Sequence, residues 1–263
     1  MSQPPNITLY TAQTPNGIKI SMLLEELGLP YEAKKIDMKA NEQKQQWFLE
    51  INPNGRIPAI TDSHPTEAGR TIRVFESGSI MQYLVDRYDK DNKCTYSRGT
   101  VEHIEMTSWL FFLNAGVGPM QGQSNHFTRY APEHIQYGVD RYQNETKRLY
   151  GVLDEHLGKV GGDYLVGNKC TIADIAHWGW IAAGLWAGVD ISHFPHLKAW
   201  EARMWARPAT KKGADVPEKY KLKEILKDPA EIERIQNSGR DMIQAGMRAD
   251  KEMNERRAGG SKV

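Results

Sequence analysis

The sequence predicts an α/β domain followed by an all-helical one, and three features carry that expectation. Between residues 7 and 87, short β-prone runs alternate with helix-patterned segments, the layout of a βαβ-containing sheet covered by helices. From about residue 99 onward, apolar residues recur at helical spacing and no convincing strand is present. Between the two, "DKDNKCTYSRGT" is polar and turn-rich, as a linker is. The expected organisation is a first domain over 6–89, a helical domain over 99–212 and a charged, helical extension over 213–263.

In order, the first domain reads as strand "ITLY", a helix over 17–28, strand "YEAKKIDM", a helical patch "KQQWFLEINP", strands "IPAITD" and "RTIRVF", and a helix over 77–88. The two later strands, joined by the loop-like "SHPTEAG", are close enough to form a hairpin. The second domain carries helical patterns over 99–116, 132–159, 171–187 and 195–206. Thr171-Ile172-Ala173-Asp174 fits a capping box, read here as purely structural. Trp178, Trp180 and Trp186 lie at helical spacing, which favours core over ligand contact. In the extension, Ile232, Ile235, Met242, Ile243 and Met247 form one apolar stripe, so a helix folding back is expected, with "AGGSKV" disordered at its end.

Composition narrows the function classes. A chain of 263 residues with net charge +1 has no long-range attraction for nucleic acid or anionic membranes. The opening "MSQPPNITLY" lacks a basic segment followed by an apolar one, so no secretory signal is expected. The most apolar stretch, "IAAGLWAGVDI", is too short to span a bilayer. Cys94 and Cys170 lie far apart and neither belongs to a CxxC, which fits a reducing compartment and excludes a dithiol motif within the chain. A cytoplasmic protein is expected, with the sequons at Asn6 and Asn144 chance matches and neither a metal nor a nucleotide in the site.

The chemistry concentrates in the first domain. "TAQTPNGIK" turns from a strand into a helix, and its Thr14, Pro15, Asn16 and Gly17 form a natural ligand turn without a cysteine. "GRIPAI" places Pro58 at a strand start, where the X-Pro bond is either cis or trans. With the cis bond, Ile57 is available to pair its backbone with an extended peptide. In "FESGSI", Ser77 stands at a helix N-terminus, as a carboxylate site or a plain cap, and Glu76 can pair with an ammonium or with solvent. Together these ask for an extended peptide with a zwitterionic amino-acid end, a backbone that pairs with a strand, and a thiol near residues 14–16. Glutathione has that shape.

The succession "LYTAQTPNGIKISMLLEELGLPYE", "INPNGRIPAI", "FESGSIMQYL" and "CTIADIAHWGW" resembles the glutathione transferase superfamily over roughly residues 7–208. Within it, "TPNG", "GVGPMQGQSNHF", "YAPE" and "RYQNET" resemble the Nu class and the relatives of the fungal nitrogen-regulatory prion protein. The resemblance implies a thioredoxin-like first domain, a helical second domain, and a cytosolic homodimer binding glutathione at the edge of the first domain. It places Thr14 and Asn16 beside the glutathione sulfur, where hydroxyl and amide donors lower a thiol pKa without becoming covalent partners. Tyr10 is the internal rival as donor, and its other reading is strand core. By the same resemblance Gln43 bonds the glycine end and Arg56 supplies a cation for that carboxylate. Ile57 pairs with the cysteinyl unit, Glu76 and Ser77 hold the γ-glutamyl end, and Arg141 reaches in from the helical domain or is an exposed helical arginine.

The segment "NAGVGPMQGQSNHFTRYAP" reads as an irregular loop covering the cleft, with Gln123, Asn125, His126, Phe127 and Tyr130 as contacts. His126 there is a general base or a surface donor. Three functions follow in order of preference. The first is reduction of a small disulfide by two glutathione molecules, leaving glutathione disulfide. The second is conjugation to an electrophile bound over Trp109, Phe112 and Phe127. The third is a non-catalytic, glutathione-binding regulatory protein.

Overall fold

The computed structural model describes residues 6–63 and 70–259, so most of "SHPTEAG" and the residues beyond Gly259 lie outside the described residues. Four strands form one sheet in the order β2-β1-β3-β4: β1 (Ile7–Thr11), β2 (Tyr31–Lys35), β3 (Ala59–Asp62) and β4 (Ile72–Phe75). β1 pairs parallel with β2 through the crossover helix α1 (Gly17–Leu27), and antiparallel with β3, while β3 and β4 pair antiparallel. This is the thioredoxin-like arrangement, and the expected hairpin is present.

Strand alternation sorts β1 onto two faces. Ile7 and Leu9 bury against Leu23 and Leu24 of α1 and against Ile80, Met81 and Leu84 of α3 (Ser77–Tyr88). Tyr10 points the other way, into a smaller cluster with Ile36, Ala59 and Phe48, the last from the short α2 (Gln46–Leu49). Both β2 and α2 are shorter than the sequence suggested. β2 ends at Lys35, so "IDM" leaves the sheet, and the helical patch is a 3-10 turn at Glu42–Lys44 followed by the single turn of α2.

After the linker, the second region is helical throughout. It comprises α4 (Val101–Phe112), α5 (Gly118–Asn125), α6 (Gln136–Lys159), α7 (Ile172–Ala182), α8 (Pro195–Ala206), α9 (Pro208–Ala214), α10 (Leu222–Ile225) and α11 (Pro229–Gly259). The capping box forms as read: Thr171 Oγ1 accepts from Ala173 N–H at the start of α7, and Thr171 N–H donates to Asp174 Oδ2. Buried Asp174 also accepts from Leu165 N–H and Trp200 Nε1, so it ties α7 to α8. Trp178, Trp180 and Trp186 are all buried, and one apolar cluster runs from the sheet side of α1 and α3 through α4, α6, α7 and α8.

The largest departure from expectation lies at 114–130. It is not an irregular loop: α4 passes through a π turn at Leu113–Val117 into α5, and through a second at His126–Tyr130. The glycines serve close packing rather than flexibility. A Cβ on Gly118 or Gly122 would stand 3.6 or 3.7 Å from the Trp180 ring. Pro119 sits in the first turn of α5, where its missing N–H costs nothing. The polar residues follow the helical period accordingly. Gln121 Nε2 donates to the Trp180 carbonyl (2.7 Å) and Ser124 Oγ to that of Ala187 (2.8 Å), both buried, while Gln123 is exposed.

Candidate active site

The turn after β1 is tight because of its backbone. Thr14 N–H donates to the Ala12 carbonyl (2.8 Å), and Gly17 N–H donates to Thr14 Oγ1 (3.0 Å), so Thr14 closes the first turn of α1. A Cβ at Gly17 would stand 2.2 Å from the Ala12 oxygen, and only glycine lets the helix start this close to the strand end. Because the Thr14 hydroxyl accepts from Gly17, its own hydrogen remains to be donated outward.

Asn16 is held more firmly still. Its Oδ1 accepts from Lys19 Nζ (2.9 Å) and from Trp180 Nε1 (3.0 Å), the latter reaching across from α7. An indole N–H can only donate, so the oxygen of the amide must face inward and its NH2 must face the other way. Among the described residues that NH2 has no acceptor.

Lys19 is 2 % exposed, one turn into α1, and also donates to Ser77 Oγ (3.2 Å). Burial pushes its pKa down to about 7, opposed by the nearby Glu76 charge. Ser77 is the first residue of α3 rather than its N-cap; the position before it is Glu76, with φ of +67°. Non-glycine residues rarely adopt that conformation, and it persists only where surroundings demand it. It exposes the Glu76 side chain beside the open N–H groups of the first turn of α3. Gly78 brings Asn114 close, since a Cβ there would lie 2.1 Å from Asn114 Nδ2.

Further along, Gln43 is 5 % exposed and its Oε1 is buried without a partner among the described residues. A buried acceptor in that state calls for an external donor. Ile57 precedes the cis peptide bond to Pro58 and lies just ahead of β3, outside its ladder. Arg56 is exposed and, with Lys44, meets the Asp250 carboxylate of α11: Lys44 Nζ–Oδ1 2.7 Å, Arg56 Nη2–Oδ2 3.8 Å.

Other candidates lie elsewhere. Tyr10 packs on Trp47 and Phe48 with ring centroids 6.1 Å apart in each case. Phe127 stacks on Tyr142 (5.4 Å), whereas Trp109 packs on Phe112 (5.3 Å) and His156 (4.3 Å), so Trp109, Phe112 and Phe127 fall into two separate aromatic groups rather than one platform. His126 is half-buried, edge-on to Phe127. Arg141 is exposed on α6, in an open groove with Met120, Asp140 and Glu145. Cys94 and Cys170 are buried; desolvation pushes the Cys94 thiol up to about 12 and Cys170 well above its usual value. Among the described residues there is no cluster of three or more metal-ligating side chains, and no helix is long and apolar enough to cross a membrane.

Sequence reasoning missed Lys19, Lys44, Asn114 and the polar role of Trp180. Lys19 had a signal: a single lysine inside the apolar run "GIKISMLL", three residues after Asn16, has to be buried with a partner.

The chain matches the family models for the glutathione S-transferase N-terminal domain over residues 5–86 and C-terminal domain over residues 102–208. It is 42 % identical over 204 residues to the disulfide-bond oxidoreductase YfcG of Escherichia coli, covering 78 % of this chain and 92 % of that one. A glutathione transferase homolog from Lodderomyces elongisporus, solved with two glutathione molecules per subunit, superposes with a TM-score of 0.78 at 44 % identity, covering 82 % of this chain and 99 % of that one. The glutathione transferase URE2P6 from Phanerochaete chrysosporium, solved with oxidized glutathione, gives a TM-score of 0.72 at 40 % identity, covering 79 % of this chain and 94 % of that one.

Proposed function

This chain belongs to the glutathione S-transferase family, a glutathione-dependent enzyme by its relatives, and from that premise we propose that it reduces small disulfides with a glutathione thiolate held by Thr14 and Asn16. The observation that carries this reading is the Asn16 amide, whose oxygen is occupied from behind so that only N–H donors face outward. With the Thr14 hydroxyl hydrogen it makes a two-donor cradle for a sulfur anion and contains no thiol of its own. Donors fixed before the charge develops need no reorganisation, and each typically contributes about 10²-fold or more in rate.

In the reaction, bound glutathione loses its proton to solvent and its thiolate attacks one sulfur of the disulfide. The S–S bond breaks, the far sulfur leaves as a thiolate and takes up a proton, and a glutathione mixed disulfide forms. A second glutathione thiolate attacks the glutathione sulfur of that mixed disulfide, giving glutathione disulfide and the second product thiol. Two glutathione molecules are oxidised and one disulfide is reduced. Cys94 and Cys170 take no part, since both are buried and held protonated. The relatives support this reading: two Escherichia coli proteins described as disulfide-bond oxidoreductases, and structures holding two glutathione molecules or glutathione disulfide.

Glutathione itself is placed by Glu76 and Ser77 at the γ-glutamyl end, by the Ile57 backbone at the cysteinyl unit, and by Gln43 and Arg56 at the glycyl end. The enzyme acts in the cytoplasm as a homodimer. Gln123, His126 and Arg141 remain candidates for the second glutathione or the disulfide. Conjugation is the weaker reading, because Phe127 stands apart from the Trp109–Phe112 pair. The test is a steady-state comparison of glutathione-dependent reduction of hydroxyethyl disulfide with conjugation of chlorodinitrobenzene. Reduction is expected to be the faster; dominant conjugation would overturn the assignment.

A further inference from the structure

An asparagine beside a thiolate helps only if its NH2, and not its oxygen, faces the sulfur, and nothing within the turn itself makes that choice. The choice is made from behind. Lys19 Nζ and Trp180 Nε1 both donate to Asn16 Oδ1, and the same Lys19 nitrogen donates to Ser77 Oγ. We propose that Lys19 is a positioning residue that, with Trp180, locks the Asn16 amide with its N–H groups toward the glutathione sulfur and frees the Ser77 hydroxyl hydrogen for the γ-glutamyl carboxylate. The inference rests on the proposed role of Asn16 at the thiolate. One buried amine thereby couples the cysteinyl sulfur and the γ-glutamyl end of one ligand. The charged and titratable groups around Lys19 are Glu76 of the strained residue before α3 and buried His177 of α7. The role does not depend on protonation, because a neutral amine still carries two N–H donors, one for each acceptor.

The decisive experiment measures the pKa of bound glutathione by thiolate absorbance in the full-length protein carrying Asn16→Ala, Lys19→Met, both, or Trp180→Phe. Lys19→Met is expected to raise that pKa by about a unit and to lower kcat at least tenfold, as loss of a well-aimed donor does. Its effect should vanish in the Asn16→Ala background, because it acts through Asn16. Trp180→Phe, which keeps an aromatic but smaller ring and removes the donor, should shift the pKa in the same direction by less. If Asn16→Ala moves the pKa and Lys19→Met does not, the positioning role is wrong while the site stands. If the Lys19→Met shift persists without Asn16, the lysine acts by direct charge and the inference is overturned. If Asn16→Ala itself moves nothing, the proposed thiolate site falls first. Should Lys19→Met not fold, an unshifted pKa in Trp180→Phe overturns the inference.

A separate observation concerns α11, which lies beyond the residues matched by the family models. The helix passes the second π turn, where a Cβ at Gly239 would lie 2.6 Å from the Tyr130 ring. Eleven residues, or about 16 Å, later it sets Asp250 between Lys44 and Arg56. Lys44 is the chain neighbour of Gln43, whose buried Oε1 has no partner among the described residues and accepts from an N–H rather than from a carboxylate, so the two cations alone make the carboxylate subsite. We infer that α11 is a strap in which the Asp250 carboxylate occupies the subsite for the glycyl carboxylate and must withdraw before glutathione seats there; this too rests on the glycyl-end assignment. Calorimetry with glutathione on full-length Asp250→Asn should show affinity raised about two- to fivefold, the scale of partly exposed ion pairs. Unchanged or weakened binding overturns the strap. Lys44→Ala and Arg56→Ala serve as the control: if neither weakens binding, it is the glycyl-end assignment that fails.

Discussion

The proposed sulfur end and the proposed glycyl end of the site are built on opposite principles. At the sulfur end every polar atom is fixed from behind: Thr14 by Gly17, and Asn16 by a buried lysine and a tryptophan from the other domain. At the glycyl end Arg56 is exposed and its partner, Asp250, belongs to the distant α11. Chemistry needs donors that do not reorganise as charge develops, whereas a carboxylate that only has to be held tolerates a mobile cation. The difference teaches that substitutions at the first end should change rate and those at the second should change affinity.

The largest expected effect, and the quickest way to break this contrast, is Asn16→Ala. It should lower kcat for disulfide reduction about 10²-fold or more and raise the pKa of bound glutathione. Tyr10→Phe should do little, since that ring is committed to the cluster of Trp47 and Phe48. A larger shift in thiolate absorbance from Tyr10→Phe would reverse the assignment.

Next in size is the γ-glutamyl end. On the proposed binding mode, Glu76→Gln or Ser77→Ala each removes a charge-assisted bond to the γ-glutamyl group and should weaken glutathione binding roughly tenfold, with the fold intact. Calorimetry reads this directly, and unchanged affinity in both variants would place the ligand elsewhere.

The buried lysine sharpens the comparison through stability. In the unfolded chain Lys19 keeps its proton to about pH 10.5, but the native protein releases it near pH 7. Between those values the unfolded state binds more protons, so stability contributed at this site rises with pH across the window and is lowest below it. Urea unfolding at pH 7 and pH 9.5 should show a gain in the wild type that is smaller in Lys19→Met. An equal gain in both would assign the titration to another group.

Arg56→Ala should cost only a few-fold in glutathione affinity, and less at high salt, because the group is solvent-exposed. Smallest of all is the effect of the cysteines on rate. Cys94→Ser with Cys170→Ser should leave disulfide reduction unchanged while lowering stability by about 1–3 kcal/mol per buried hydroxyl left unpaired. Loss of activity in that double variant would rule out the two-glutathione mechanism.

Local chemistry alone determined a good deal here. The alternation of strand and helix, the Gly17 turn, the capping box at Thr171 and the helix of the extension are each encoded in short runs of neighbouring residues, where propensity and period are legible, although Met247 of the expected apolar stripe is exposed. The same local reading failed over 114–130, since glycines that suggest a loop in isolation are close-packing positions once Trp180 lies against them. It also left Trp180 as plain core and passed over Lys19. Only the tertiary structure decided which way Asn16 points, because its donors come from one turn along α1 and from α7, 164 residues away. An amide's orientation is a property of the groups that surround it in space, and a linear order does not contain them.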